Sequence, residues 1–342
     1  VLAGIHPEVV ERARRFVAAG NVSVSLGNTA EVLYIEVVIT AGSEQAKACI
    51  QGDYTRLSLV EHNGSAIFIL KPDEVDPQST GNSPAVELSV KAIHEFAMQA
   101  PLQELRPILV AALMNTTLSR EDLDNRYGLG VGRNLAQAME QGFPPGGIAA
   151  MAVMETAAAV DARMAGCPLP AMTNSGSGNQ GITATMPVVV MARELKSSEE
   201  QLARALTLSH LVSIHIRQHW DRLSAMCGTI AAGTGSACGM VYLLGGAYPE
   251  LTSAIANMAG DLSGMVCDGA KPGCALKASS AVQSAFKAAM LAMGGIRTGG
   301  TEGIVDVNVE KIIDNLGRLS SEGMRQTDVM VLEMMIARQA AG

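Results

Sequence analysis

Rings are scarce in this sequence. Aromatic residues make up 3% of its 342 residues, with a single Trp. A core short of rings is filled by small and flexible side chains, and 35 Gly and 19 Met supply them alongside Ala and Val. Helices packed closely through small residues are expected. Dense Lys/Arg clusters are also missing, and the net charge is −8. Nucleic acid and anionic membrane are thereby disfavoured as partners. A small anion is not, because local N–H groups outweigh net charge at short range. Cysteine is sparse, six in the whole chain, too few for a disulfide scaffold. No signal peptide is evident, so a reducing cytoplasm is the expected compartment. The first residue is Val1, not Met, which reads as a start inside a longer gene product. An apolar content of 48% excludes a disordered chain.

Charge is absent from one long stretch, Leu223 to Pro249. Its length raises the question of a membrane span. Six glycines, with Ser and Thr, interrupt it. Ala231, Gly235 and Gly239 recur every four residues and share one helical face. Such a groove lets another backbone come close, in water-soluble cores as in lipid. A buried soluble helix is expected, and the groove also permits contact with a second copy in a homo-oligomer.

What is present reads as an α+β chain. Residues 5–19 read as a helix, with Pro7 near its start and Gly20 at its end. Short runs rich in Val, Ile and Thr follow at 22–26, 32–40, 46–51, 55–61 and 66–70, separated by Asn, Gly and Asp. Asn63-Gly64 is a two-residue hairpin signal. A small antiparallel meander of four or five strands, flanked by a helix, is predicted. Residues 71–84 carry three prolines and read as a linker. Beyond it the pattern is helical, near 86–99, 103–115, 131–141, 147–165, 182–195, 199–219, 251–264, 278–293, 308–321 and 325–340. Ser198 before Glu199-Glu200, and Asp306 followed by Glu310, read as helix starts. The expected division is an α+β domain at 1–84 and a large, mostly helical domain at 85–342.

Two features carry chemistry. The first is the run Asn174-Ser175-Gly176-Ser177-Gly178-Asn179-Gln180-Gly181, ahead of an apolar helix expected to begin near Ile182. A glycine-rich turn into a helix collects free N–H groups and the positive end of a dipole, which suits a carboxylate. An ordinary capped loop is an equal reading of the pattern alone. The run is neither a Walker loop nor a dinucleotide fingerprint. Pyridoxal-phosphate enzymes of the cysteine-synthase type use a similar Ser-Gly-Asn loop, with a Schiff-base lysine some tens of residues upstream. No lysine occurs between Lys91 and Lys196, so pyridoxal phosphate is not expected.

The second is cysteine. Cys267 and Cys274 flank a Gly/Pro loop, Asp268 to Gly273, that can aim both sulfurs at one point. Cys227, expected to end a helix over Arg222–Cys227, can supply a third. The spacing matches no familiar zinc or ferredoxin pattern, so buried small side chains are an equal reading. Cys49, Cys167 and Cys238 read as buried, with Cys238 near enough to Cys227 to be a reserve ligand. Lys271 and Lys277, in or just after the loop, are candidate helpers for a substrate carboxylate or a leaving group; solvated loop charge is an equal reading. His215 and His219 are spaced i, i+4, but without the glutamate of a zinc helix they read as a partly buried helix face. No Gly-x-Ser-x-Gly elbow occurs and no triad is evident.

These residues carry a resemblance. Asp161–Gly166, Pro170–Pro187, Arg222–Cys227, Gly264–Lys277 and Thr301–Val305 are similar to segments of the bacterial and archaeal L-cysteine desulfidase family, UPF0597. That family is related to the α domain of iron–sulfur L-serine dehydratases. The likeness runs along essentially the whole chain. It implies a [4Fe–4S] cluster on Cys227, Cys267 and Cys274, with the fourth iron free for substrate. The implied reaction is β-elimination of L-cysteine to pyruvate, ammonia and hydrogen sulfide through an aminoacrylate; with L-serine, water would leave. The loop Asn174–Gln180 would hold the small amino-acid substrate. The family's N-terminal Gly-Cys-Thr-Glu-Pro, whose cysteine is held to be the base, has no counterpart in this sequence, so the catalytic base is unknown. A non-catalytic binder of small amino or hydroxy acids, and an interaction module with buried cysteines, are the competing readings.

Overall fold

The computed structural model describes residues 5–71 and 88–339, except 26, 30, 32, 53–55, 144–146 and 221–222. The expected linker lies outside the described residues but for Lys71. Ile5–Leu88 with the residues from Met335 form one compact unit, and Ser89–Met334 form another.

The first unit opens with helix α1 (Pro7–Ala18), which carries Pro at its start as the sequence predicts. Four strands follow: β1 (Tyr34–Ala41), β2 (Glu44–Gln51), β3 (Leu57–His62) and β4 (Ser65–Ile69). They pair antiparallel in the order β1-β2-β3-β4, a meander. Asn63 and Gly64 both take positive φ, 51° and 77°, which matches the twist of the β3–β4 hairpin. The further strand expected at 22–26 does not form: residues 22–25 are irregular. Alternating Val and Ser make a strand only beside a partner, and β1 and β4 end the sheet without pairing to this segment.

The second unit is helical: α2 (Val90–Gln99), α3 (Leu102–Leu105), α4 (Leu109–Asp124), α5 (Val131–Glu140), α6 (Ile148–Met164), α7 (Gly178–Glu194), α8 (Glu199–Gln218), α9 (Thr229–Leu243), α10 (Tyr248–Asp261), α11 (Cys274–Met293) and α12 (Val309–Arg318). Helix α13 (Arg325–Gln339) closes the chain. The single helix expected at 103–115 is split, because Pro107 sits in a 3₁₀ turn at Arg106–Ile108 and lacks the N–H that a continuous helix would use. Ser198 caps α8 in a capping box with Gln201. At α12 the cap is Asn308, not Asp306: its side chain accepts from the Glu310 N–H. The helix expected over Arg222–Cys227 is absent from the described residues 223–227, where Met226 instead bridges Val266.

Helix α9 forms the middle of the uncharged stretch, and residues 229–241 are all buried. Its groove is filled by α8 of the same chain. A Cβ on Gly235 would lie 2.1 Å from the Ser209 carbonyl oxygen and 2.2 Å from Ser213 Oγ. One on Gly239 would lie 2.7 Å from the Ala205 oxygen. On another side, Gly233 faces the Ala281 carbonyl of α11. Among the described residues, no helix is long and apolar enough to cross a membrane.

Gly235→Ala is expected to lower stability by about 1–3 kcal/mol or more, through overpacking. Gly264→Ala, where nothing lies within 4 Å, is expected to be near neutral. Urea denaturation midpoints of the two variants check this.

Candidate active site

Cys227 and Cys267 are brought side by side by backbone pairing. The Cys227 N–H donates to the Met265 oxygen at 2.9 Å, and the Cys267 N–H to the Ala225 oxygen at 2.5 Å. These bonds flank the antiparallel bridge between Met226 and Val266. The loop after Cys267 then turns back through Gly269, at φ 90°, a conformation that a side chain would strain. Gly269 lends its N–H to the Cys267 sulfur, and its carbonyl lies 3.7 Å from Cys274 Sγ. Cys274 is the first residue of α11. The loop thus gathers two of the sulfurs around one glycine, beside the third.

Cys227 and Cys267 share a hydrogen bond, which lowers the Cys267 thiol to about 6 and raises that of Cys227. Burial opposes the shift at Cys267, while the Gly269 N–H and Lys277 support it. Among the described residues, no three His, Cys, Asp or Glu surround the position of a single metal ion. Three cysteine sulfurs, one of them acidic, are a soft donor set of the kind that an iron–sulfur cluster takes. Cys227 is buried, whereas Cys267 and Cys274 are partly exposed and reachable. Cys238 is fully buried in α9 and Cys49 lies in β2.

Lys271 and Lys277 are placed differently from free helpers. Both form ion pairs with Asp268, and Lys277 Nζ also donates to the Val266 oxygen at 2.6 Å. The two ammonium groups hold the Asp268 carboxyl down at about 2. Their geometry is that of a clamp on the cysteine loop. His215 and His219 pair with carboxylates of α12, Glu310 at 2.7 Å and Asp314 at 3.0 Å.

The glycine-rich run is a turn feeding straight into α7. Asn174 and Ser177 exchange backbone bonds of 3.0 and 2.9 Å around Ser175-Gly176, both at positive φ. Ser177 caps the helix, its Oγ accepting from the Gln180 N–H at 3.3 Å. Helix α7 therefore begins at Gly178, four residues before the predicted start, because the cap lies inside the run rather than after it. The first turn leaves the Gly178 and Asn179 N–H groups without an acceptor in the helix. Gln180 joins this turn to the first cysteine: a Cβ on Gly228, the neighbour of Cys227, would lie 2.7 Å from Gln180 Oε1. On another side, Asn174, Ser175, Thr207 and His210 line an open cavity of about 330 Å³.

Arg163, at the end of α6, lies over the loop. Its Nη1 donates to Asn179 Oδ1 at 2.9 Å. A Cβ on Gly178 would sit 2.1 Å from Arg163 Nε, so only glycine leaves the guanidinium its place. Burial lowers the Arg163 pKa, and the negative form of Cys274 opposes that. Arg163 thus sits on the loop with the charge of Cys274 within electrostatic reach. Sequence reasoning passed over it, although it stands inside the Asp161–Gly166 segment; a cation among small apolar residues was the available signal. His210, Thr185 and Asn115, which back the loop, were also passed over.

Buried acids brace this arm. Asp161 accepts the N–H groups of Leu129 at 3.1 Å and Gly132 at 3.2 Å, at the start of α5. Asp122 is fully buried beside it, with Arg133 3.8 Å away. Burial, then the Asp161 charge, raises Asp122 from 3.8 to about 7.

Comparison with known proteins places the chain. A family model described as serine dehydratase alpha chain matches residues 35–333. A UPF0597 protein of Oleidesulfovibrio alaskensis is 44% identical over 339 residues, spanning 99% of this chain and 79% of its own length. The chain belongs to the UPF0597 family. Other UPF0597 proteins, from Photobacterium profundum and Bacteroides thetaiotaomicron, are 43% and 42% identical, each across 98% of this chain and 78% of their own length. The serine dehydratase α-chain region of this UPF0597 protein takes in the sheet, the loop at 174–180 and all three candidate cysteines.

Two outcomes follow from the titrating groups. In the metal-free protein, iodoacetamide near pH 7 is expected to modify Cys267 well before Cys227 or Cys238, read by peptide mass spectrometry; equal rates would contradict the shared hydrogen bond. For Asp122, the folded state holds its proton more tightly than the unfolded state. Stability is therefore expected to fall as pH rises from about 4 to about 7. Asp122→Asn should flatten that slope and be more stable than wild type at pH 8 by urea denaturation.

Proposed function

We propose that this protein is an iron–sulfur-dependent lyase that carries out β-elimination on L-cysteine, giving pyruvate, ammonia and hydrogen sulfide, with L-serine as the alternative substrate. One observation carries the reading: Gln180, in the first turn of α7, points its Oε1 at Gly228 beside Cys227, while Arg163 holds Asn179 of the same turn. This supports reading the turn and the three cysteines as parts of one site. Membership of a family with a serine dehydratase α-chain model supports the same class of chemistry.

Cys227, Cys267 and Cys274 would hold a [4Fe–4S] cluster. When bound, it supplies a Lewis-acid iron for the departing sulfur or hydroxyl, and thiolate sulfur suits iron better than hydroxyl. The chain's own residues hold the substrate. N–H groups of Gly178 and Asn179, at the positive end of the α7 dipole, receive the carboxylate. Arg163 adds a fixed positive charge over the same turn. Asn174, Ser175, Gly176, Ser177 and Gln180 shape it, so that the Cα–H and the leaving group are presented in one orientation. Partial burial keeps these charge interactions stronger than they would be in water.

Anaerobic purification of the complete gene product with iron and sulfide quantification tests the reading. About four irons per chain are expected, lost in Cys267→Ala. No iron under strict anaerobiosis would sink it. Pyruvate release from L-cysteine and L-serine then separates a lyase from a binding protein. Asn179→Ala keeps the backbone N–H but releases Arg163 from its place over the turn, and is expected to raise KM by about tenfold, the loss of roughly one charge-assisted hydrogen bond.

A further inference from the structure

The polar groups behind the glycine-rich loop admit one arrangement of protons. The carbonyl oxygen of His210 can only accept, and Asn174 Nδ2 faces it at 3.1 Å. That orients the Asn174 amide, whose Oδ1 accepts from Gln180 Nε2 at 2.7 Å and from Ser175 Oγ at 3.0 Å. Nδ2 also lies 3.2 Å from His210 Nδ1, so Nδ1 must be an acceptor. On the other edge of the ring, Thr185 gives its single proton to the Gly181 carbonyl at 2.7 Å. Toward His210 Nε2, at 3.0 Å, Thr185 can then only accept. Nε2 carries the proton and the ring is neutral. Asn115 completes the network: its Nδ2 donates to Thr185 Oγ1 at 3.1 Å and its Oδ1 accepts from the Met172 N–H at 3.0 Å. Burial, which holds the ring's pKa down at about 4, agrees with the neutral form.

We infer that His210 is a positioning residue for the substrate loop: its carbonyl and its Nδ1, free to accept in the Nε2–H tautomer, together hold Asn174 so that the Gln180 amide presents Oε1, not Nε2, toward Gly228 beside Cys227. The inference rests on the reading of Asn174–Gln180 as the substrate site. An Nδ1–H on the ring would set one donor against another at Asn174. Were the amide to turn over, its oxygen would meet the His210 carbonyl and its NH₂ would meet Gln180 Nε2. Both contacts are buried, so each leaves polar groups without partners. The network is stable in one sense only, and that sense determines which end of Gln180 faces the cysteines.

Nitrogen-15 NMR of the wild-type protein reads the tautomer without any turnover, with the His210 signals identified by their loss in His210→Asn. An unprotonated Nδ1 and a protonated Nε2 at neutral pH are expected. An Nδ1–H or a cationic ring would overturn the inference. Steady-state kinetics of the anaerobically purified full-length protein separate positioning from simple packing. His210→Gln reaches Thr185 and keeps the backbone carbonyl but leaves one Asn174 N–H without its ring acceptor, and should raise KM about tenfold with kcat changed less. His210→Asn places an amide oxygen where Nδ1 stood, and should recover most of that loss. An unchanged KM in His210→Gln, with KM raised in Asn179→Ala, overturns the role of His210 and leaves the loop assignment standing. If neither variant changes KM, the loop assignment falls and the positioning role falls with it.

Discussion

The approach of α8 to α9 is the constraint on which the rest of this molecule depends. Two backbones meet where Gly235 and Gly239 have no side chain, and the Ser209 carbonyl occupies the space that a Cβ would need. The residue after Ser209 is His210, whose ring backs the glycine-rich loop. Helix α9 itself begins two residues after Cys227. One close contact therefore sets the depth of both the loop and the first cysteine. Small residues are usually credited with compactness; here they also act as a length standard between two halves of a site.

The site is assembled from segments that are distant in sequence and individually plain. Extended backbone at 225–227 pairs with 265–267, and neither segment is a strand of the sheet. The loop at 268–273 is held shut by two lysines on one aspartate. Arg163 comes from a third direction, on the end of α6. Each device uses ordinary interactions, and two of these segments meet the first turn of α7: Arg163 at Asn179 and Gly228 at Gln180.

Much of this was legible in the residues, and the parts that were not share a cause. The β3–β4 hairpin was visible because Asn63-Gly64 is a local signal that acts over two residues. The groove at Ala231, Gly235 and Gly239 was visible because it follows one helical period, yet its occupant was not, since α8 precedes it in sequence by a turn that carries no mark of pairing. Helix α7 starts early because Ser177 serves as its cap from within a run that otherwise reads as loop. The helix predicted over Arg222–Cys227 fails because apolar spacing there is equally good for an extended segment, and only Val266, some forty positions on, decides between them. His210 could not be picked out at all: a histidine on the buried face of a helix becomes informative only when Asn174, Thr185 and Asn115 are seen around it. Local rules transmit local structure, whereas tautomers and shared protons are properties of the assembled core.

The pairing at Met226 and Val266 has a consequence for how a metal group would be acquired. In small zinc modules the ligands are scattered until the ion arrives, so metal uptake and folding are one event. Here Cys227 and Cys267 are aligned by main-chain bonds that involve no metal, and Gly269 directs the loop that brings Cys274. The entropy of gathering the ligands belongs to the folding of the helical unit, not to metal uptake. In the proposed lyase, insertion of a cluster would be a docking event on a folded surface, and its removal would leave a mould rather than an unfolded chain.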